Sequence, residues 1–226
     1  MAKKILLLSA NPTDTNKLRL DEEVREIEAC LERAKGREKF EIIFKLAVRV
    51  DDLRRALLDH EPHIVHFSGH GAASEGLALQ NNSGQTQLVS GQSLAKLFSL
   101  FPQVECVVLN ACYSEEQAEA IHQHIDYVIG MNKEIGDKAA IKFAVGFYDA
   151  LGAGRTIEDG FKFGCTSIDL ESIPESATPV LKNRKTIKGA VVPQDSQPRK
   201  RIFISYKRDL EPDEQIALQI QQALSP

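Results

Sequence analysis

Tryptophan is missing from this 226-residue chain, cysteine occurs only four times, and no apolar run exceeds the four residues of Ile5 to Leu8. A membrane-spanning helix needs about 20 predominantly apolar residues, so no membrane partner is expected. The opening MAKKILLLSANP has the positive end of a secretory signal, but its apolar part is short and breaks at Asn11-Pro12. It reads instead as a first strand of a cytoplasmic protein. Cys30, Cys106, Cys112 and Cys165 lie far apart, which suits reduced thiols better than a disulfide framework. Charge of either sign is not in excess: 28 Lys and Arg against 32 Asp and Glu leave −4. No broad positive field is available to recruit nucleic acid or anionic lipid. The basic cluster Arg199 to Arg208 is read as charge flanking a strand.

The apolar pattern that is present alternates between two periods. Lys4 to Ala10, Phe40 to Val48, Ile64 to Ser68, Val104 to Leu109 and Tyr127 to Met131 read as strands. Between them, Leu20, Val24, Ile27 and Leu31 follow at helical spacing, Asp51 is placed to cap a short helix through Leu58, and Ser90 to Leu100 and Glu115 to His124 supply two more helices. A hairpin is expected around Asn81-Asn82-Ser83-Gly84. Two helices, about Asp137 to Leu151 and Thr156 to Ser167, close the domain. Strands alternating with helices imply an α/β fold with a mostly parallel sheet covered on both faces, and function at the C-terminal strand ends. The pattern loosens after Pro174, residues 186–198 have linker composition, and Arg201 to Tyr206 starts a new strand followed by an amphipathic stretch. Residues 199–226 read as the beginning of a second α/β domain, cut short because one strand and one helix cannot bury a core.

Two strands run directly into reactive side chains: His66-Phe67-Ser68-Gly69-His70-Gly71 and Leu109-Asn110-Ala111-Cys112-Tyr113-Ser114. If these strands are neighbours, His70 and Cys112 share one cleft. A thiol that is to attack a carbonyl and expel an amine needs a proton-transfer partner, and imidazole titrates in the right range. Gly69 and Gly71 permit a tight turn and close approach of backbone N–H groups to a substrate oxygen. Ser114 and Gln117 fit a capping box that would set Cys112 just before a helix N-terminus, where the dipole favours a thiolate, although Glu115 and Glu116 oppose it. His66 and His70 stand at i,i+4, a zinc spacing only on a helix. Since they lie on a strand and a glycine turn, no metal and no other cofactor is expected, and His66 is expected to pack beneath the site. His60, His63, His122 and His124 are read as solvated, and Cys30, Cys106 and Cys165 as packing residues.

The spans HIVHFSGHG and CVVLNACYS resemble the two catalytic signatures of the CHAT family, caspase-like cysteine peptidases. Asp126 to Met131 and Phe143 to Leu151 resemble its later part, so the likeness covers about residues 1–185. It implies a caspase-like domain with a His70–Cys112 dyad, the backbone N–H groups of Gly71 and Cys112 as oxyanion hole, and hydrolysis of peptide bonds without a metal. Asp137 follows the fifth strand's end, on the rim shared with His70 and Cys112, where a carboxylate suits a basic P1 side chain. Ile135 to Lys138 resembles the segment whose aspartate lines the P1 pocket in separase-like relatives. A role for Asp137 as helix N-cap stands beside this. RIFISYKRD, with the acidic turn and amphipathic stretch after it, resembles the first strand and helix of a TIR domain. The resemblances imply a cysteine endopeptidase of protein or peptide substrates, in a signalling, defence or cell-death pathway, with self-association through the TIR-like part. The alternatives are a non-catalytic caspase-like scaffold and a sensor for an NAD-cleaving TIR domain.

Overall fold

A computed structural model describes residues 2–184. The linker and TIR-like readings, residues 186–198 and 199–226, lie outside the described residues. The elements in chain order are β1 (Lys3–Ala10), α1 (Leu20–Arg33), β2 (Phe40–Lys45), α2 (Val50–His60), β3 (Ile64–Gly69), β4 (Leu77–Gln80), β5 (Thr86–Val89) and α3 (Gly91–Phe98). They continue with β6 (Cys106–Asn110), α4 (Glu115–His122), β7 (Tyr127–Met131), α5 (Asp137–Gly152), α6 (Ile157–Leu170) and β8 (Pro179–Asn183). Six strands form one sheet in the order β2-β1-β3-β6-β7-β8, all parallel except β8, which runs antiparallel to β7. This is the expected mostly parallel α/β sheet. The antiparallel edge strand β8 was not expected: its proline start and the polar Lys182-Asn183 mask a strand that has a neighbour on one side only.

The continuous apolar strands result from coverage on both faces. Alternate residues of one strand point opposite ways, so Leu6 and Leu8 of β1 pack with Leu53 and Leu57 of α2, Leu94 of α3 and Ile121 of α4. Ile5 and Leu7 face the other way, onto Ile27 and Leu31 of α1 and Phe143 and Phe147 of α5. The β4–β5 hairpin forms at the expected place, with the Asn81 side-chain oxygen accepting from the N–H groups of Ser83 and Gln85 and Gly84 at φ 76°.

Three local readings are corrected. Helix α2 is entered through Arg49, not Asp51: the Asp52 carboxylate accepts the Arg49 N–H at 3.1 Å and its guanidinium at 2.8 Å. The inward stripe of α1 is Leu20, Glu23, Ile27, Cys30 and Leu31, with Val24 only half-buried. His63 is held in place, its Nδ1 accepting the Lys4 N–H at 3.1 Å, and the Nδ1 of His122 is buried. No helix among the described residues is long and apolar enough to cross a membrane.

Candidate active site

The register of the two central strands brings the sequence motifs together. β3 and β6 are adjacent, with Ser68 opposite Asn110. His70 and Cys112 each come two residues after that pair, and both line one cleft at the C-terminal edge of the sheet. The N-terminal part of α1 and the start of α5 form its other walls, and Asp137 is among the lining residues. Cys112 is half-buried and its Sγ lies 3.8 Å from the Ile135 carbonyl oxygen. The His70 ring is held at Nε2, which lies 2.7 Å from the Asn16 carbonyl oxygen. A carbonyl only accepts, so Nε2 carries a proton and Nδ1 is left as the basic nitrogen.

Gly71 is dictated by a close approach rather than by a turn. Its φ is not in the left-handed region, but a Cβ there would stand 2.0 Å from the Cys112 carbonyl oxygen. The His70 and Cys112 loops are therefore packed backbone on backbone. Ala78 N–H donates to the His70 carbonyl at 3.0 Å, fixing the first loop against β4. Among the described residues, the N–H groups of Gly71 and Cys112 have no hydrogen-bond partner.

The second loop is pinned by Ser114 in a way the sequence pattern does not disclose. Ser114 occupies the N-cap position of α4, but its side chain makes no cap bond. Fully buried, its Oγ donates to the Leu109 carbonyl at 2.9 Å and accepts the Met131 N–H at 3.0 Å, tying the ends of β6 and β7 together. Tyr113, between Cys112 and this anchor, is at φ 53°, a left-handed conformation that costs a non-glycine residue energy and persists only where its surroundings enforce it. Gln117 Nε2 donates to the Ala73 carbonyl, linking α4 to the His70 loop. The capping-box reading is thus replaced by a brace joining both loops.

Asp137 is the first residue of α5, whereas the N-cap is Gly136, whose N–H donates to the Glu175 carboxylate at 2.7 Å. The Asp137 carboxylate makes no cap bond and stands half-buried on the cleft wall.

Beneath the cleft lies a buried polar chain that pattern reading missed. His66 Nδ1 is 3.1 Å from the Tyr148 hydroxyl, and its Nε2 is 3.1 Å from Glu23 Oε1. Asn110 Nδ2 donates to the same Glu23 oxygen at 2.6 Å and to the Ala140 carbonyl at 3.1 Å. His66, Glu23, Asn110 and Tyr148 are all at most 4% exposed. Burial pushes the Tyr148 phenol well above its ordinary range, so it stays protonated. Glu23 carried one signal: three residues after Leu20 and four before Ile27, it sits on the apolar stripe.

The remaining thiols differ from Cys112 in their surroundings. Burial pushes Cys30 up to about 12 and Cys165 up to about 11, and raises Cys106 further. Such thiols are poor nucleophiles at neutral pH. Among the described residues, no group of three or more His, Cys, Asp or Glu side chains is arranged to hold a metal ion.

The same fold occurs in a secreted cysteine protease from Bacteroides thetaiotaomicron, solved with an irreversible peptide inhibitor. That match has a TM-score of 0.60 at 13% identity and covers 81% of this chain and 66% of that one. It also occurs in the Drosophila initiator caspase Dronc, with a TM-score of 0.52 at 11% identity over 80% of this chain and 79% of that one. The fold is therefore caspase-like. In sequence, the chain is 28% identical over 180 residues to a Roc-COR-CHAT protease from an unknown prokaryotic organism, covering 76% of this chain and 17% of that protein. It is 26% identical over 152 residues to a probable protease from Gillisia limnaea, covering 66% of this chain and 27% of that protein. The match thus spans only about a sixth to a quarter of the length of these relatives. The CHAT domain model matches residues 1–160, which include both strand-end motifs and Asp137, and the chain belongs to the CHAT domain family.

Proposed function

We propose that the chain is a cysteine endopeptidase whose catalytic domain spans about residues 1–185, with Cys112 as nucleophile and His70 as its proton-transfer partner. The observation that carries this reading is the convergence of His70 and Cys112 on one cleft from neighbouring, register-matched strands. The His70 imidazole takes the Cys112 proton at Nδ1, its Nε2–H held by the Asn16 carbonyl. The thiolate attacks the scissile carbonyl carbon, and the N–H groups of Gly71 and Cys112 receive the negative oxygen of the tetrahedral intermediate. His70 then gives its proton to the departing amine as the C–N bond breaks, leaving a thioester on Cys112. Water attacks that thioester, His70 takes the water's proton, and the carboxylic acid leaves with the thiol restored.

Asp137 on the cleft wall favours substrates with Arg or Lys at P1. The protease names of the relatives support a peptide or protein substrate. The proposed mechanism uses no cofactor. Residues 199–226 provide self-association through their TIR-like part in a cytoplasmic signalling, defence or cell-death pathway; the support for this is sequence resemblance.

The test is cleavage of a P1-diverse peptide library by the unmodified chain, Cys112→Ala and His70→Ala. Each substitution is expected to abolish turnover and leave the fold intact, because removing one member of a unit costs nearly as much as removing both. Turnover retained in Cys112→Ala would refute the mechanism, and no cleavage by the unmodified chain would favour a scaffold.

A further inference from the structure

The loop that holds the His70 imidazole is itself weakly held at the point of contact. Residues 11–19, between β1 and α1, form neither helix nor strand, and Asn16, whose carbonyl receives the His70 Nε2–H at 2.7 Å, is exposed. Among the described residues, neither Asn16 nor Lys17 makes any other hydrogen bond. The carbonyl is therefore placed by the anchors on either side of it. At the base of the loop, Asn11 and Leu18 share two long bonds, of 3.3 and 3.4 Å. Shorter bonds reach the β4–β5 hairpin. Thr13 N–H donates to the Gly84 carbonyl at 2.9 Å, and Asp14 Oδ1 accepts both the N–H and the hydroxyl of Thr86, each at 2.9 Å. A carboxylate acceptor makes such bonds roughly twice as strong as neutral ones. The Thr86 hydroxyl holds the Asp14 carboxyl below the ordinary carboxylate range, so it is ionised at neutral pH.

The same hairpin is joined to the histidine from its other strand. Ala78 N–H, on β4, donates to the His70 carbonyl at 3.0 Å, and Gly71 bridges to Leu77. β4 and β5 pair with Gln80 opposite Thr86. The bonds thus close a ring: from the imidazole to Asn16, back along the chain to Asp14, across to Thr86, through the hairpin to Ala78, and on to the His70 main chain. We propose that Asp14, which lies outside the cleft, is a positioning residue for the reaction: by hooking the β1–α1 loop to Thr86 it keeps the Asn16 carbonyl on Nε2–H, and so keeps Nδ1 free to take the Cys112 proton. The assignment rests on the peptidase reading of His70 and Cys112. Without the hook the carbonyl drifts from the ring, the imidazole turns, and its proton is shared between the two nitrogens. A supporting shell that is loose by about 1 Å is enough to cost about 100-fold in rate.

The test compares the full chain with Asp14→Ala, with Asp14→Asn, which keeps an acceptor oxygen for Thr86, and with the double variant Asp14→Ala/Thr86→Val. The substrate is the best-cleaved peptide of the P1-diverse library. In Asp14→Ala, kcat is expected to fall by about 10- to 100-fold with KM within about twofold. Asp14→Asn should lose no more than about threefold, and the double variant no more than Asp14→Ala, because both substitutions remove one link. A merely structural anchor would lower the urea midpoint and leave kcat of the folded chain unchanged, and that result overturns the proposal. A second arm needs no turnover: long-range proton–nitrogen NMR of the imidazoles near pH 8, where an ordinary imidazole is neutral, with the His70 signals identified by their absence from His70→Ala. A single tautomer protonated at Nε2 in the unmodified chain and in Asp14→Asn, turning to a mixture in Asp14→Ala, supports the hook. A mixture in the unmodified chain, or an unchanged tautomer in Asp14→Ala, overturns it. If the unmodified chain cleaves no peptide, the peptidase reading falls, and the NMR arm still decides whether Asp14 fixes the imidazole.

Discussion

Substituting Gly71 with alanine puts the geometry of the two loops under direct strain. The added Cβ would stand 2.0 Å from the Cys112 carbonyl oxygen, and the atom it meets is backbone rather than the end of a movable side chain. A carbon and a carbonyl oxygen settle at about 3.3 Å or more, so the loops must part by roughly 1.3 Å. The Cys112 loop cannot yield easily, since Ser114 ties it to β6 and β7 and Tyr113 is already in a strained conformation. The His70 loop is the one to move, carrying its imidazole away from the thiol. Misplacement by about 1 Å can cost about 100-fold in rate, and forced repacking costs about 1 to 3 kcal/mol of stability. Peptide-cleavage kinetics and urea unfolding measure the two effects. Gly154→Ala serves as control: at φ 80° with no atom near its Cβ, it is strained but far from any clash. It should lose about 1 to 2 kcal/mol and retain its kcat/KM. Gly71→Ala that cleaves and unfolds like the unmodified chain would refute the close approach of the loops.

Neighbouring features lead to further expected outcomes. Ser114→Ala strands the Leu109 carbonyl and the Met131 N–H in a buried site, so unfolding should become easier by about 1 to 3 kcal/mol, with turnover reduced; an unchanged urea midpoint would count against the brace. Asp137→Ala should lower cleavage after Arg by roughly one and a half to three powers of ten and leave stability nearly untouched, because Gly136 and not Asp137 is the N-cap; a loss of about 1 kcal/mol with the P1 profile unchanged would restore the capping role. Stability should fall on the alkaline side. Cys30, raised to about 12, and Cys165, raised to about 11, stay protonated in the folded chain while their unfolded counterparts ionise from about pH 8.5. Each group then removes about 1.4 kcal/mol per pH unit between its unfolded and folded values, and denaturant titrations at pH 8, 9 and 10 check the slope.

What the sequence discloses here depends on whether the signal is local. The strand ends are local signals, so the pairing of HFSGHG with LNACYS across neighbouring strands was legible in the residues themselves, and Asp137 was placed on the same rim for the same reason. The hairpin was legible from Asn81 to Gly84. Partners chosen across the fold were not. Ser114 looked like a cap because Gln117 stood three residues on, but its hydroxyl goes to Leu109 and Met131, which only the stacking of β6 and β7 brings near. Glu23 is hidden in the run Asp21-Glu22-Glu23, which reads as a solvated helix face. Its partners His66 and Asn110 come from two strands, β3 and β6. Strand β8 escaped because an edge strand with one neighbour needs little apolar patterning.

The central claim, that Cys112 is the nucleophile of a His70-assisted peptidase, is met most directly by mapping a covalent adduct. The full chain is treated near pH 7.5 with a peptidyl acyloxymethyl ketone carrying Arg at P1, and the modified residue is located by mass spectrometry. One adduct per chain on Cys112, lost in His70→Ala and absent from Cys30, Cys106 and Cys165, is the expected result. An adduct on one of those three thiols, or a Cys112 adduct that forms equally fast without His70, would contradict it.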